Sequence, residues 1–350
     1  MLQIDERIGG EIRYILTEFP VPIMTVPDEI RKCVYFVGYR MADGTIRLAG
    51  TAFCMARPIG GTDRAFHYAI TARHVIDHIR KLGISTVLLR INKKSGDAFW
   101  AATPLQDWLV SPEGPSTDIA ILRYVMQPEW DHIQIPFSMA VTDALIEQEK
   151  IGVGDEVFMT GLFSRHIGTR NNIPIVRVGN IAAMTGEKVN TRLGLMDAYL
   201  IEARSIGGLS GSPVFVNFGT IRGRRVSVSG NPIYFLIGLM HGHYEADAAR
   251  IDTEELNPIV DDGFAPKNVN MGIAIVVPVS KLMEMLNSPL VRSTELPVEE
   301  ELRKKNLPVA DVLQPAQTQK TQTTAQGIEI PIPATDQFFA DLEKASRKKE

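Results

Sequence analysis

The chain is predicted to be all-β: two six-stranded antiparallel β-barrels, with a helical extension before them and a mobile tail after them. Two observations carry that expectation. Short apolar runs bounded by turn residues recur from residue 33 onward, about six on each side of a polar connector that contains proline, and strands at such spacing belong to barrels or sandwiches. One stretch alone in the first half, residues 73–82, has helical character.

Taken in order, residues 1–32 form an extension. Ile8, Ile12, Ile15 and Leu16 recur at helical spacing until Pro20, Pro22 and Pro27 break the pattern. The first barrel spans 33–130. Its opening runs, 34–39 and 48–55, flank Ala42-Asp43-Gly44, and Asp-Gly between strand-like runs is a hairpin signal. Further strands are expected at 66–71, 86–91 and 118–125. A connector, 131–150, leads to the second barrel, 151–289, with strands expected at 156–161, 175–184, 198–203, 212–217, 234–240 and 271–277. The acidic stretch 243–270 is expected as a surface loop near that barrel's mouth. Residues 290–350, charged and then rich in Gln and Thr, are expected to be a disordered tail, with a short helix over 335–349 that offers a docking segment for a protein partner.

Composition excludes some functions. The 350 residues are 45% hydrophobic and 22% charged, with 37 Lys and Arg against 41 Asp and Glu, a net charge of −4; no general nucleic-acid binder is expected. No run approaches the 18 apolar residues of a membrane helix and the N-terminus lacks a signal-peptide pattern, so a cytoplasmic protein with no membrane partner is expected. Two cysteines, Cys33 and Cys54, make no disulfide framework; buried free thiols are expected, a single bridge being the alternative.

Chemistry concentrates in Gly207-Gly208-Leu209-Ser210-Gly211-Ser212-Pro213. Small residues around one serine let backbone N–H groups approach a bound atom, and a serine needs a base and an oxyanion-stabilising site to act as a nucleophile. Upstream, Thr71-Ala72-Arg73-His74 places a histidine just after an apolar strand, and Asp118-Ile119-Ala120-Ile121-Leu122 places an aspartate at the head of another. The order is His, Asp, Ser, with separations of 44 and 92 residues. That is the order of the chymotrypsin arrangement; the α/β-hydrolase alternative, with serine first and histidine last, fails.

On these three motifs the sequence resembles the chymotrypsin-like (trypsin-like) serine peptidases, especially the bacterial HtrA-like branch without a PDZ domain. Gly50-Thr51-Ala52-Phe53, Gly152-Val153-Gly154-Asp155-Glu156-Val157 and Gly272-Ile273-Ala274-Ile275-Val276-Val277-Pro278 support the match, which covers about 33–289. The resemblance implies a chymotrypsin-like double barrel and a serine endopeptidase acting on a protein or peptide substrate through an acyl-enzyme. Ser210 would be the nucleophile, His74 the general base and acid, Asp118 the group that orients the imidazole, and the N–H groups of Gly208 and Ser210 the oxyanion hole. Ser212 departs from the family, which commonly has glycine there. No cofactor is implied. The rival reading is a catalytically latent or inactive binding module of the same fold, acting through its cleft and tail.

Specificity is expected along Leu239-Met240-His241-Gly242-His243, the strand implied to line the primary pocket, with Arg204 near its floor. An arginine there favours an acidic substrate side chain, whereas Met240 favours an apolar one. Two metal patterns are set aside, leaving no metal site expected: His74-Val75-Ile76-Asp77-His78 has Asp where the zinc motif has Glu, and His241 and His243, with Glu245 following, read as a pocket wall.

Overall fold

The computed structural model describes residues 26–163, 166–203, 208–219, 233–247 and 268–304, together with strand pieces at 3–4, 14–15, 221–222, 225–226, 321–323 and 329–331. The chain is mostly β, with two strand systems joined by a connector.

The first system contains β1 (Val34–Arg40), β2 (Ile46–Pro58), β3 (Ala65–Thr71), β4 (Thr86–Asn92), β5 (Ala98–Pro104), β6 (Leu109–Val110) and β7 (Ala120–Tyr124), hydrogen-bonded in the order β5-β4-β1-β2-β3-β7-β6. All pair antiparallel; β8 (Ile135–Pro136) adds a short parallel pairing to β2. The expected first barrel is thus a half-barrel, because among the described residues the end strands β5 and β6 do not pair with each other. The second system does close. Strands β9 (Glu156–Leu162), β10 (Pro174–Met184), β13 (Tyr199–Glu202), β14 (Pro213–Asn217), β15 (Tyr234–Asp247) and β16 (Asn268–Pro278) form a six-stranded barrel in the order β9-β10-β13-β16-β15-β14. A small hairpin, β11 (Val189–Thr191) and β12 (Gly194–Met196), stands off it.

Strand periodicity explains why these runs read as continuously apolar. In β1, Tyr35, Val37 and Tyr39 face the core of the first system with Ala52, Cys54, Ala69 and Leu89. Their neighbours Val34 and Phe36 turn the other way, with Phe53, Met55 and Ile70, and join Val157, Phe158, Val214 and Phe215 of the second barrel. Alternate side chains therefore feed two cores, and the second core welds the halves together. Each large aliphatic or aromatic side chain so buried contributes about 1.5–3 kcal/mol.

Helix α1 (Arg73–Lys81) buries Val75, Ile76 and Ile79 and carries His78, Arg80 and Lys81 in its last turn, where cations suit the helix dipole. It ends near the expected residue 82. The connector holds α2 (Asp143–Glu149), capped by Thr142, whose hydroxyl accepts from the Leu145 amide at 3.2 Å.

Several expectations are corrected. Tyr14–Ile15 pairs with Gln3–Ile4 as a strand where helical spacing predicts a helix; tyrosine and β-branched isoleucine fit extended backbone well, and the other residues of 1–25 lie outside the described residues. Strands β15 and β16 run on to Asp247 and back to Asn268, pairing Glu245 with Asn270 and Asp247 with Asn268, so the acidic stretch begins as a hairpin rather than a loop; 248–267 lie outside the described residues. Residues assigned to the tail also fold: after α3 (Val279–Leu286), Pro289–Lys304 form α4. Its Glu295 is buried, accepting from the Tyr68 hydroxyl at 2.5 Å and pairing with Arg57 at 3.1 Å and with Arg292. The expected helix over 335–349 lies outside the described residues. Cys33 and Cys54 are free and buried; burial pushes the Cys33 thiol well above its ordinary range and Cys54 up to about 12, which favours the protonated thiol in both.

Candidate active site

The strand ends set the site. His74 follows β3 and opens α1, where its backbone N–H is one of the four a helix start leaves unpaired. Asp118, fully buried, satisfies it: Oδ1 accepts from the His74 amide at 2.8 Å. Oδ2 lies 2.7 Å from Nδ1 of the same residue. One carboxylate thus fixes both the backbone and the ring of a residue 44 positions away. Burial alone pushes the Asp118 carboxyl up, but hydrogen bonds from His241 and His74 outweigh it and hold the carboxyl well below the usual carboxylate range. As an ionised acceptor it obliges Nδ1 of His74 to carry the proton, which leaves Nε2 as the basic nitrogen.

Ser210 comes from the other half. Its loop is held by Thr51 of β2: the Thr51 hydroxyl donates to the Gly208 carbonyl at 2.7 Å and accepts from the Leu162 amide at 3.2 Å, while the Thr51 amide donates to the Ser210 carbonyl at 2.9 Å. Gly208 and Gly211 take φ of 101° and 86°, the left-handed region that favours glycine. At Gly211 a Cβ would also lie 2.2 Å from the Thr51 carbonyl oxygen. The amides of Gly211 and Ser212 are used, donating to Met240 and Leu209 carbonyls.

His74, Ser210, His241, Gly242 and His243 line one cavity of about 540 Å³, walled by Asn190–Leu193 of the β11–β12 hairpin, Tyr244 and Ile275. Ser210 Oγ donates to the His241 carbonyl at 3.3 Å, and among the described residues no hydrogen bond joins it to the His74 ring. His241, expected in a pocket wall, does more. Its Nδ1 lies 2.6 Å from the same Asp118 Oδ2, and its ring meets that of His74 nearly edge to face, with centroids 5.5 Å apart. Met240 does not line the cavity: it is fully buried, because alternation along β15 turns it into the barrel interior. Arg204 lies outside the described residues. His74, Asp118 and His241 stand close enough to converge on one metal ion, yet each ring Nδ1 already has its acceptor in the carboxylate, so the group is complete as a hydrogen-bond network.

Two roles go beyond what the sequence predicts. Thr51 belongs to a supporting motif and also ties down the serine loop; its signal is a hydroxyl within the apolar middle of β2. His241, predicted in the pocket, also bonds Asp118; its signal is an ionisable group directly after the apolar run Leu236-Ile237-Gly238-Leu239-Met240.

No family model and no curated protein matches the chain. Among solved structures it is similar to the apo MamO protease domain from Magnetospirillum magneticum, at 13% identity and a TM-score of 0.40, covering 75% of this chain and 99% of that one. It is also similar to an atomic-resolution structure of HBP, at 10% identity and a TM-score of 0.41, covering 76% of this chain and 95% of that one. The fold is chymotrypsin-like. The closed antiparallel barrel, the half-barrel sheet beside it and the cleft residues contributed by both define it. Among the described residues no helix is long and apolar enough to cross a membrane.

Proposed function

We propose that the chain is a serine endopeptidase of the HtrA-like kind, cleaving protein or peptide substrates through an acyl-enzyme. The observation that carries the reading is the doubly bonded Asp118–His74 pair, 2.8 and 2.7 Å, on a cavity that Ser210 shares. His74 enters the reaction with Nε2 free. Ser210 Oγ turns from the His241 carbonyl to Nε2, gives up its proton there and attacks the scissile carbonyl. Asp118 stabilises the imidazolium, which then donates its proton to the leaving amine. The amides of Gly208 and Ser210, which have no partner among the described residues, receive the oxyanion; one such donor is worth about 3–4 kcal/mol in comparable sites. Substrate lies along His241, Gly242 and His243.

A fluorophosphonate probe tests this. Wild type is expected to be labelled at Ser210 and Ser210→Ala not at all, and peptide-library cleavage products should disappear with the label. Folded wild type that resists the probe supports the binding-module reading instead, which the serine's present bond to the His241 carbonyl favours.

A further inference from the structure

One feature of the site is not required by that chemistry: Asp118 serves two imidazoles. His74 Nδ1 and His241 Nδ1 lie 2.7 and 2.6 Å from the same oxygen, Oδ2, while Oδ1 takes the His74 amide at 2.8 Å. Asp118 is fully buried, His241 is 8% exposed, and the His74 side chain is 34% exposed. Ionised, the carboxylate only accepts, so both rings present Nδ1–H to it and each keeps Nε2 as its basic nitrogen. One negative charge thus faces two rings that each take up a proton, and it compensates only one of them. A second proton would put two imidazolium charges 5.5 Å apart with a single counter-charge between them.

We infer that His241 is a positioning residue that acts on His74 through Asp118: neutral, it anchors Oδ2; protonated, it takes over the carboxylate's charge and leaves His74 without the support its imidazolium needs. One proton then shuts the site wherever it sits. On His74 it removes the base directly. On His241 it leaves Nε2 of His74 free but makes that ring a weaker base, because the transition state must build an imidazolium beside one already present.

The surroundings allow this reading. The β16 residues nearest His241 are Ile275 and Val276, which carry no charge, and the serine loop brings Ser210. The other ionisable groups on the cavity are Arg192 from the β11–β12 hairpin, with His243 and Tyr244 on the same strand as His241. None of these is bonded to Asp118 among the described residues.

The inference rests on the roles proposed for Ser210 and His74, and the experiment keeps the two claims apart. His241→Gln, with His241→Asn as a second choice should the first not fold, retains a neutral side-chain donor and loses the titrating ring. Two profiles are measured against pH: the fluorophosphonate labelling rate, and the ring protonation of His74 by histidine NMR in a Ser210→Ala background. They should move in opposite directions. The acid limb of labelling falls to lower pH, by about 0.3 unit if the rings hold the proton equally and by more if His241 holds it preferentially, a statistical consequence of two sites sharing one proton. His74 itself, freed of competition, is protonated to a larger fraction at any given pH. Profiles that both stay put, or shift together, overturn the inference. In Ser210→Ala alone the two rings should take up protons in mutual opposition, and independent uptake overturns it as well. Wild type that never labels overturns the peptidase reading and leaves the NMR comparison to judge His241.

Discussion

Thr51→Val is the sharpest test of how the two halves form one site. Valine keeps the shape and removes the hydroxyl, leaving two groups without the partner they have now: the Gly208 carbonyl, 2.7 Å away, and the Leu162 amide, 3.2 Å away. Thr51 is fully buried, so water does not replace the lost bonds. A buried polar group left unpaired costs about 1–3 kcal/mol, so the pair should cost about 3 kcal/mol. Thr51→Ser keeps both bonds and loses one methyl, for about 1 kcal/mol. Urea titrations at unchanged slope report these differences as shifts in midpoint. The labelling rate separates two consequences. Gly208 carries a carbonyl held by Thr51 and an amide proposed for the oxyanion, so loosening the loop should slow Ser210 labelling in the folded valine variant by at least tenfold while the serine variant stays near wild type. A valine variant matching wild type in midpoint and rate would refute the argument. One that is destabilised yet labels normally would confine Thr51 to stability.

Three further outcomes are expected. Ser212 Oγ is buried with no hydrogen-bond partner among the described residues, so Ser212→Ala should be neutral or raise stability by up to about 1 kcal/mol, read by urea midpoint. Glu295→Ala should cost about 3–5 kcal/mol by leaving Arg57, Arg292 and the Tyr68 hydroxyl around an empty place, and limited proteolysis should then cut within α4. Asp118→Asn should keep the fold but slow turnover by about 10⁴-fold through the wrong His74 tautomer. Because the folded carboxyl titrates below its unfolded counterpart, its stabilisation is complete above the ordinary carboxylate range. The stability gap between wild type and Asp118→Asn should therefore close as pH falls below about 4; a gap that widens on acidification would contradict the geometry.

The sequence made the strands and the two anchoring carboxylate–imidazole residues legible because each rests on local pattern: apolar runs between turns, and a histidine and an aspartate at strand ends. Closure was less legible. Whether the first system closes depends on the pairing of β5 and β6, the end strands of its sheet. Helix α4 is hidden from the sequence for a related reason. Its Glu295 and Glu299 have the pattern of solvated charge, yet both are buried, and Glu295 is held by Arg57 and Tyr68, more than 200 residues earlier. His241 followed the same rule, since its partner Asp118 lies 123 residues away and no spacing marks the pair.

Asp118 is therefore more than the third member of the proposed catalytic set. His74 reaches it from the first system and His241 from the second, so the carboxylate is a bond between halves as well as an orienting group. Thr51 makes the reciprocal tie, a first-system side chain holding the serine loop of the second barrel. Each tie joins a residue needed by the proposed chemistry to the half that does not contain it. The reactive geometry is then a property of the interface: variants that loosen the shared core around Phe53, Phe158 and Phe215 should lose labelling before they lose either strand system. Circular dichroism and labelling followed along one urea titration would show this as two separated midpoints. A single coincident transition would place the site's integrity inside global unfolding instead.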